Sequence, residues 1–107
     1  MMNEAINTLI EAIKADYANY TDSISEIRRR MIAEFNEKIS YTVGKKYTKI
    51  ISGGSVWGFI VNDDDSKFRK GDILKPASWS APAKNRARGN IIDGEYEIQW
   101  TGPNYLR

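Results

Sequence analysis

In KKYTKIISGGSVWGFIV, residues 45–61, two runs rich in β-branched and aromatic side chains flank Gly53-Gly54. Two glycines readily take the positive φ angles of a tight turn, so the stretch predicts a β-hairpin. Trp57 and Phe59, two positions apart on its second strand, are expected to share one face. Downstream, NDDDSKF reads as a loop. DILKPAS is a further strand in which Pro76 limits pairing to an edge or an end, and EYEIQW is a last strand after Asp93-Gly94.

Upstream of the hairpin the period changes. Apolar side chains fall at Ile10, Ile13, Tyr17, Tyr20, Ile24, Ile27 and Met31, with Phe35 one step late. Spacing that alternates three and four is the seam of a coiled coil or helical hairpin. YTDSIS, in the middle, holds poor helix formers, and Ser23 with Glu26 has the form of a capping box that would start a second helix. The phase nevertheless runs through it, which favours one long helix over residues 3–38, with any kink near Thr21, over two short ones. A long helix packed with a small antiparallel sheet is an α+β domain. It is expected to be single over residues 1–107, with 3–38 a helical oligomerisation segment and 41–107 a sheet that carries a ligand-binding segment. The alternative is that the seam packs on the chain's own sheet.

A chain of 107 residues buries only about 65% of its unfolded surface, so partners are expected to add stability. Sixteen basic against fourteen acidic side chains leave a net charge of +2, far from the field of a general nucleic-acid coat. Anion binding is then expected to be local. The absence of cysteine and histidine removes disulfides, thiolate metal sites, the commonest general base and the best neutral-pH nucleophile. Catalysis would have to rest on carboxylates, hydroxyls or lysine. Most carboxylates have plain structural places: Glu4, Glu11, Glu26, Glu34 and Glu37 on a helix, Asp63, Asp64 and Asp65 in a turn that lacks the alternating ligands of a calcium loop. Binding without a cofactor or metal is therefore expected rather than catalysis. The N-terminal MMNEAINTLIEAIKADY has Glu4 and Glu11 within its apolar pattern and no basic leader region. Neither export nor a membrane partner is expected.

WSAPAKNRARGN, residues 79–90, holds Trp79, Lys84, Arg86 and Arg88 with no carboxylate among them. Ser80 as a cap, Pro82 in the first turn and Gly89 as a stop predict a short helix near residues 81–88. Its amino end and its guanidinium forks both suit phosphate oxygens. A solvated basic face is the simpler reading of such a run. The company of Trp57, Phe59 and Trp79 favours a nucleotide, which needs a flat surface for its base and fixed cations for its phosphates. For one of Trp57 and Phe59 the expected role is the core.

The run from Ser55 to Asn90, SVWGFIVNDDDSKFRKGDILKPASWSAPAKNRARGN, resembles the signature of small phage proteins in which a strand ending in an aromatic and FI is followed by an acidic turn, YKPASW, APAK and RGN. It is similar in this to the Thoeris anti-defence proteins, phage sponges that sequester nucleotide immune signals. The likeness covers about a third of the chain, and its specific part is LKPASW, PAK and RGN. The resemblance implies an α+β homo-oligomer, a dimer or higher, that holds a cyclic ADP-ribose isomer without cleaving it, in the cytoplasm of an infected bacterial host. In some members a second site takes cyclic oligonucleotides. By position, the resemblance implies Phe59 as the aromatic of the site, with Lys84 and Arg88 as its cations. The aspartate turn is longer than the family's and KNRARGN holds one extra residue, so the choice between Arg86 and Arg88 as the ligand-facing cation stays open.

Arg28, Arg29 and Arg30 form a second basic cluster on the helical segment. Consecutive residues fan widely around a helix and cannot all address one ligand. Arg28, beside the seam, is the candidate for a second site. Exposed arginines paired to Glu26 or Glu34 are the simpler account. Three classes of function follow: a non-catalytic sponge for a cyclic nucleotide, a small phage nucleic-acid-binding protein, which the low net charge disfavours, and an oligomeric structural protein with no ligand.

Overall fold

The computed structural model describes residues 2–20, 26–84, 87–96, 98–99 and 102–103. Two helices, α1 (Met2–Tyr20) and α2 (Glu26–Lys38), precede β1 (Ile39–Val43), β2 (Tyr47–Ser52), β3 (Ser55–Val61) and β4 (Ile73–Leu74). These four strands form one antiparallel sheet in the order β1-β2-β3-β4. The expected α+β class is the observed one.

Helix α1 exists because Ile6, Leu9, Ile10, Ile13 and Tyr17 recur at helical spacing and give it one continuous apolar face. All five are buried, and the first four lie in a core with Ile39, Ile50, Trp57, Ile60, Ile73 and Ile91. The α1 half of the seam is thus spent on the chain's own sheet. The rings of Tyr17 and Phe35 stack with centroids 4.2 Å apart and planes 11° apart. Along one continuous helix the eighteen-residue step from one to the other would cover about 27 Å. The single long helix expected over residues 3–38 is therefore replaced by two helices packed on each other. Thr21 and Ile24 lie outside the described residues. On α2, by contrast, the seam residues Ile27 and Met31 are 72% and 45% exposed.

The expected hairpin is β2–β3, closed by the pair Ser52 and Ser55. Gly53 alone takes a positive φ, 63°, so one of the two glycines does the turning. The register then shifts: Ile50 faces Gly58 and Ile51 faces Val56, which leaves Trp57 as an extra residue. Such a bulge reverses the alternation of side chains beyond it. Trp57 and Ile60 accordingly face α1, whereas Phe59 and Val61 face away, into a second cluster with Phe68 and Leu74. The shared face expected for Trp57 and Phe59 does not occur, because a spacing of two means one face only in an unbroken strand.

The loop after β3 is built by its aspartates. Asp65 Oδ1 accepts from the amides of Lys67 and Phe68 at 2.8 and 2.7 Å, and Asp64 Oδ1 accepts from the amide of Lys70 at 2.7 Å. These bonds seat Phe68 against the outer face of the sheet. Asn90 closes the loop from the other side. Its amide donates to Asp72 Oδ1 and the Lys70 carbonyl, and its Oδ1 accepts from the amides of Ile92 and Asp93.

The short helix expected near 81–88 is absent among the described residues of that stretch. The amides of Ala77 and Ser78 both bond the Ala81 carbonyl, the Ala83 amide bonds the Lys75 carbonyl and the Arg88 amide bonds the Ile73 carbonyl. Backbone groups paired across a loop in this way cannot also form a helical ladder. The segment leaves β4, turns at 77–81 and returns through the Pro76–Pro82 bridge to β5 (Gly89–Asn90). β5 pairs with β6 (Glu95–Tyr96), and β7 (Ile98–Gln99) pairs with β8 (Gly102–Pro103). The last strand expected over 95–100 is thus shared between two separate pairings.

Two outcomes follow. Asn90→Ala removes four hydrogen bonds that close the loop and is expected to cost about 2–4 kcal/mol of stability, read as a lowered urea midpoint. Asp65 is held below its ordinary value of 3.8, first by the Phe68 and Lys67 amides. A depressed carboxylate contributes stability above its unfolded value, and that contribution is lost as pH falls through the folded one. Denaturation midpoints measured from pH 7 downward should fall below pH 3.8 in the wild type and less steeply in Asp65→Asn.

Candidate functional site

On the sheet face turned away from α1, basic and aromatic side chains meet. The hairpin register sets Tyr47 opposite Val61 and Lys49 opposite Phe59, so these four side chains rise from one patch of the β2–β3 surface. Tyr47 meets Phe59 edge to face at 6.0 Å, with planes 74° apart. Phe59 is buried at the base of this patch, whereas Trp79, on the loop that leaves β4, is 54% exposed.

The Lys49 ammonium lies over both of those rings, 6.0 Å from the centroid of Phe59 and 4.6 Å from that of Trp79. Lys46 and Lys84 each hold a nitrogen over the Tyr47 ring, at 5.8 and 5.9 Å. The Lys67 ammonium donates to the Lys84 carbonyl, tying the two loops together, and lies 5.5 Å from the Phe68 centroid. Each of these contacts is worth about 0.5–1 kcal/mol at such exposure, yet four ammonium groups on one face repel one another. An anion laid across them relieves that repulsion, and the rings beside them offer a flat apolar surface. The buried Tyr47 hydroxyl has no hydrogen-bond partner, so a polar group in the patch remains unsatisfied.

Of the residues read from the sequence, Phe59, Trp79 and Lys84 come together here. Trp57 does not: the bulge puts it in the α1 core at 2% exposure. Arg88 is also 2% exposed, held within the fold and engaged there, so among the described residues of that segment Lys84 is the cation which solvent reaches. Arg86 lies outside the described residues. Arg28 is exposed on α2, whose Phe35 packs against the α1 core, and the structure does not bring it to this patch. Tyr47, Lys46, Lys49 and Lys67 belong to the patch although sequence reading passed over them. The sequence carries no signal for this: a hairpin register counted from Gly53-Gly54 sets Thr48 opposite Phe59, and it is the bulge at Trp57 that moves Lys49 there.

Among the described residues no three carboxylates converge on a possible metal ion. Asp65, which interacts electrostatically with Lys46 and Lys84, and Asp64 are both engaged by backbone amides. Among the described residues, too, no helix is long and apolar enough to cross a membrane.

Burial separates the roles of the cations. Arg88→Ala is expected to lower stability by about 3–5 kcal/mol, as loss of an enclosed, engaged charge does. Lys84→Ala and Lys49→Met should each leave the thermal midpoint within about 2 °C of wild type. Circular-dichroism melting of the three variants checks the division.

No curated protein and no solved structure matches the chain. A family model does match, over residues 1–105, and the protein belongs to that family, described as a Family of unknown function (DUF7717).

Proposed function

We propose that this protein is a non-catalytic sponge: it binds a cyclic nucleotide immune signal and withholds it from its receptor in the cytoplasm of an infected bacterial host. The observation that carries the reading is the Lys49 ammonium lying over both Phe59 and Trp79, with Lys46 and Lys84 over the neighbouring Tyr47 ring. Cations fixed beside flat rings match a ligand that joins phosphates to planar bases. The resemblance of Ser55–Asn90 to Thoeris anti-defence proteins makes a cyclic ADP-ribose isomer the first ligand to test and cyclic oligonucleotides the second. Binding without cleavage agrees with a chain that has no histidine or cysteine to act as base or nucleophile. A homo-oligomeric sponge is part of the same reading.

Phe59 supports the stacking surface from below, Trp79 covers it from the solvent side, and Lys46, Lys49 and Lys84 neutralise the phosphates. Arg88 holds the segment that carries Lys84.

Calorimetric titration with a panel of cyclic ADP-ribose isomers and cyclic oligonucleotides tests this. The expected result is saturable binding to one class, weakened about ten- to hundredfold in Lys49→Met and in Lys84→Ala, the worth of a charge-assisted contact. Mass spectrometry of ligand released by heating should find it unchanged. No binding across the panel overturns the reading, and a hydrolysed product that accumulates with time overturns the sponge. Affinity for an oligonucleotide duplex that falls by orders of magnitude between low and moderate salt would assign the same patch to nucleic acid instead.

A further inference from the structure

The four-stranded sheet ends in β1 on one side and β4 on the other, and the two edges differ. Beyond β4 the returning segment gives cover: the Arg88 amide donates to the Ile73 carbonyl, and Pro76 bridges to Pro82. Beyond β1 no strand pairs among the described residues. Two hydrogen bonds fix which way its backbone groups point. The Gly53 amide donates to the Lys38 carbonyl and the Gly44 amide to the Tyr47 carbonyl, so in this register the ladder bonds to β2 fall on Ser40 and Thr42, opposite Ile51 and Lys49. The N–H and C=O groups of Tyr41 and Val43 therefore point away from the sheet. Tyr41 is part-buried, and Val43 is 63% exposed.

Exposed edges are ordinarily blunted by a proline, a bulge or a charge within the strand. Ile39 to Val43 has none of these: its register with β2 is unbroken and every side chain is uncharged. The charges stand at its two ends instead. Lys38 precedes the strand, Lys45 and Lys46 follow it, and no carboxylate occurs from Lys38 to Val61. Asp65 acts on Lys46, whereas Lys38 and Lys45 are exposed and make no ion pair among the described residues. Those ends decide the occupant. A second copy of β1 would set Lys38 against Lys45 in an antiparallel pairing, or each lysine against its own counterpart in a parallel one, and like charges on facing strands repel. A nucleic acid has no ladder of amides and carbonyls to offer. An extended protein segment with acidic ends meets both requirements.

We propose that the open edge of β1 is a docking site for an extended segment of a partner protein, β-branched in its middle and carrying a carboxylate at each end, which adds a strand to the sheet. Tyr41 and Val43 supply the backbone hydrogen bonds. The middle of the segment is β-branched because it lies beside Tyr41 and Val43 on a pleated surface, and Lys38 and Lys45 select its acidic ends. The site uses none of Lys49, Phe59 and Trp79, so it stands whether or not a nucleotide binds to the ligand patch.

Amide NMR on the full chain, titrated with the capped peptide Glu-Val-Thr-Val-Thr-Val-Glu, tests it. Saturable binding at submillimolar concentration is expected. The Tyr41 and Val43 amides should exchange fast in the free protein and slow by about tenfold or more at saturation. Replacing both glutamates of the peptide by lysine should weaken binding by about tenfold or more. Val43→Pro removes an outward N–H and no ladder bond, and should abolish binding while circular dichroism shows the sheet retained. Lys38→Glu combined with Lys45→Glu, two surface changes that leave the core untouched, should reverse the preference between the two peptides. This second variant decides the matter if Val43→Pro does not fold. The proposal is overturned if the glutamate peptide does not bind folded wild type, if the lysine peptide binds equally well, if folded Val43→Pro still binds, or if the charge reversal leaves the preference unchanged. Protection of Tyr41 and Val43 in the free protein that grows with protein concentration would place a second copy on the edge and overturns it as well.

Discussion

One inserted residue in β3 separates this protein's core from its candidate site. Were the hairpin regular, Trp57 and Phe59 would lie on one face, and the indole and the ring would compete for one environment. The register shift between Ile50 and Ile51 turns Trp57 toward α1 and leaves Phe59 on the far side. The sheet is thereby apolar on both faces at its centre, and each face requires its own cover. On one side α1 supplies it with Ile6, Leu9, Ile10 and Ile13. On the other, two loops have to do so.

Those loops are short of apolar side chains and are held mainly by polar bonds. Phe68 is the one large side chain that the loop after β3 contributes to the outer cluster, and the amide bonds to Asp64 and Asp65 set its position. Asn90 and Asp72 join this loop to the returning strand. A buried polar network that is fully bonded specifies one arrangement, because any other leaves a group unsatisfied. The consequence for the surface is direct. With the loops fixed, Lys67 and Lys84 are joined, Trp79 stands over Lys49, and four ammonium groups are held where free side chains would spread apart.

The helical half shows the limits of a periodic pattern. A seam of threes and fours marks which residues seek apolar cover, and it marked Ile10, Ile13 and Tyr17 correctly on α1. It does not record where the chain reverses, since the phase of the pattern survives a turn of suitable length. The stacking of Tyr17 on Phe35 is a contact between two helices that no spacing rule contains. For the basic segment the local signals were misleading. Ser80, Pro82 and Gly89 suit a short helix, but their neighbours' amides found carbonyls across the loop, and a helix of two turns has too little cooperativity to compete.

The sequence by itself determined the α+β class, the glycine-turned hairpin, the aspartate turn and the joint presence of rings and cations between Trp57 and Arg88, because each rests on local propensity or on residue chemistry. Tertiary structure alone decided which of those residues share a surface. The bulge sent Trp57 inward, close packing enclosed Arg88 at 2% exposure, and cross-strand register brought Tyr47 and Lys49 to Phe59. Register, bulges and the path of a returning loop are set by contacts between residues far apart in the chain, and such contacts leave no mark on the spacing of neighbours.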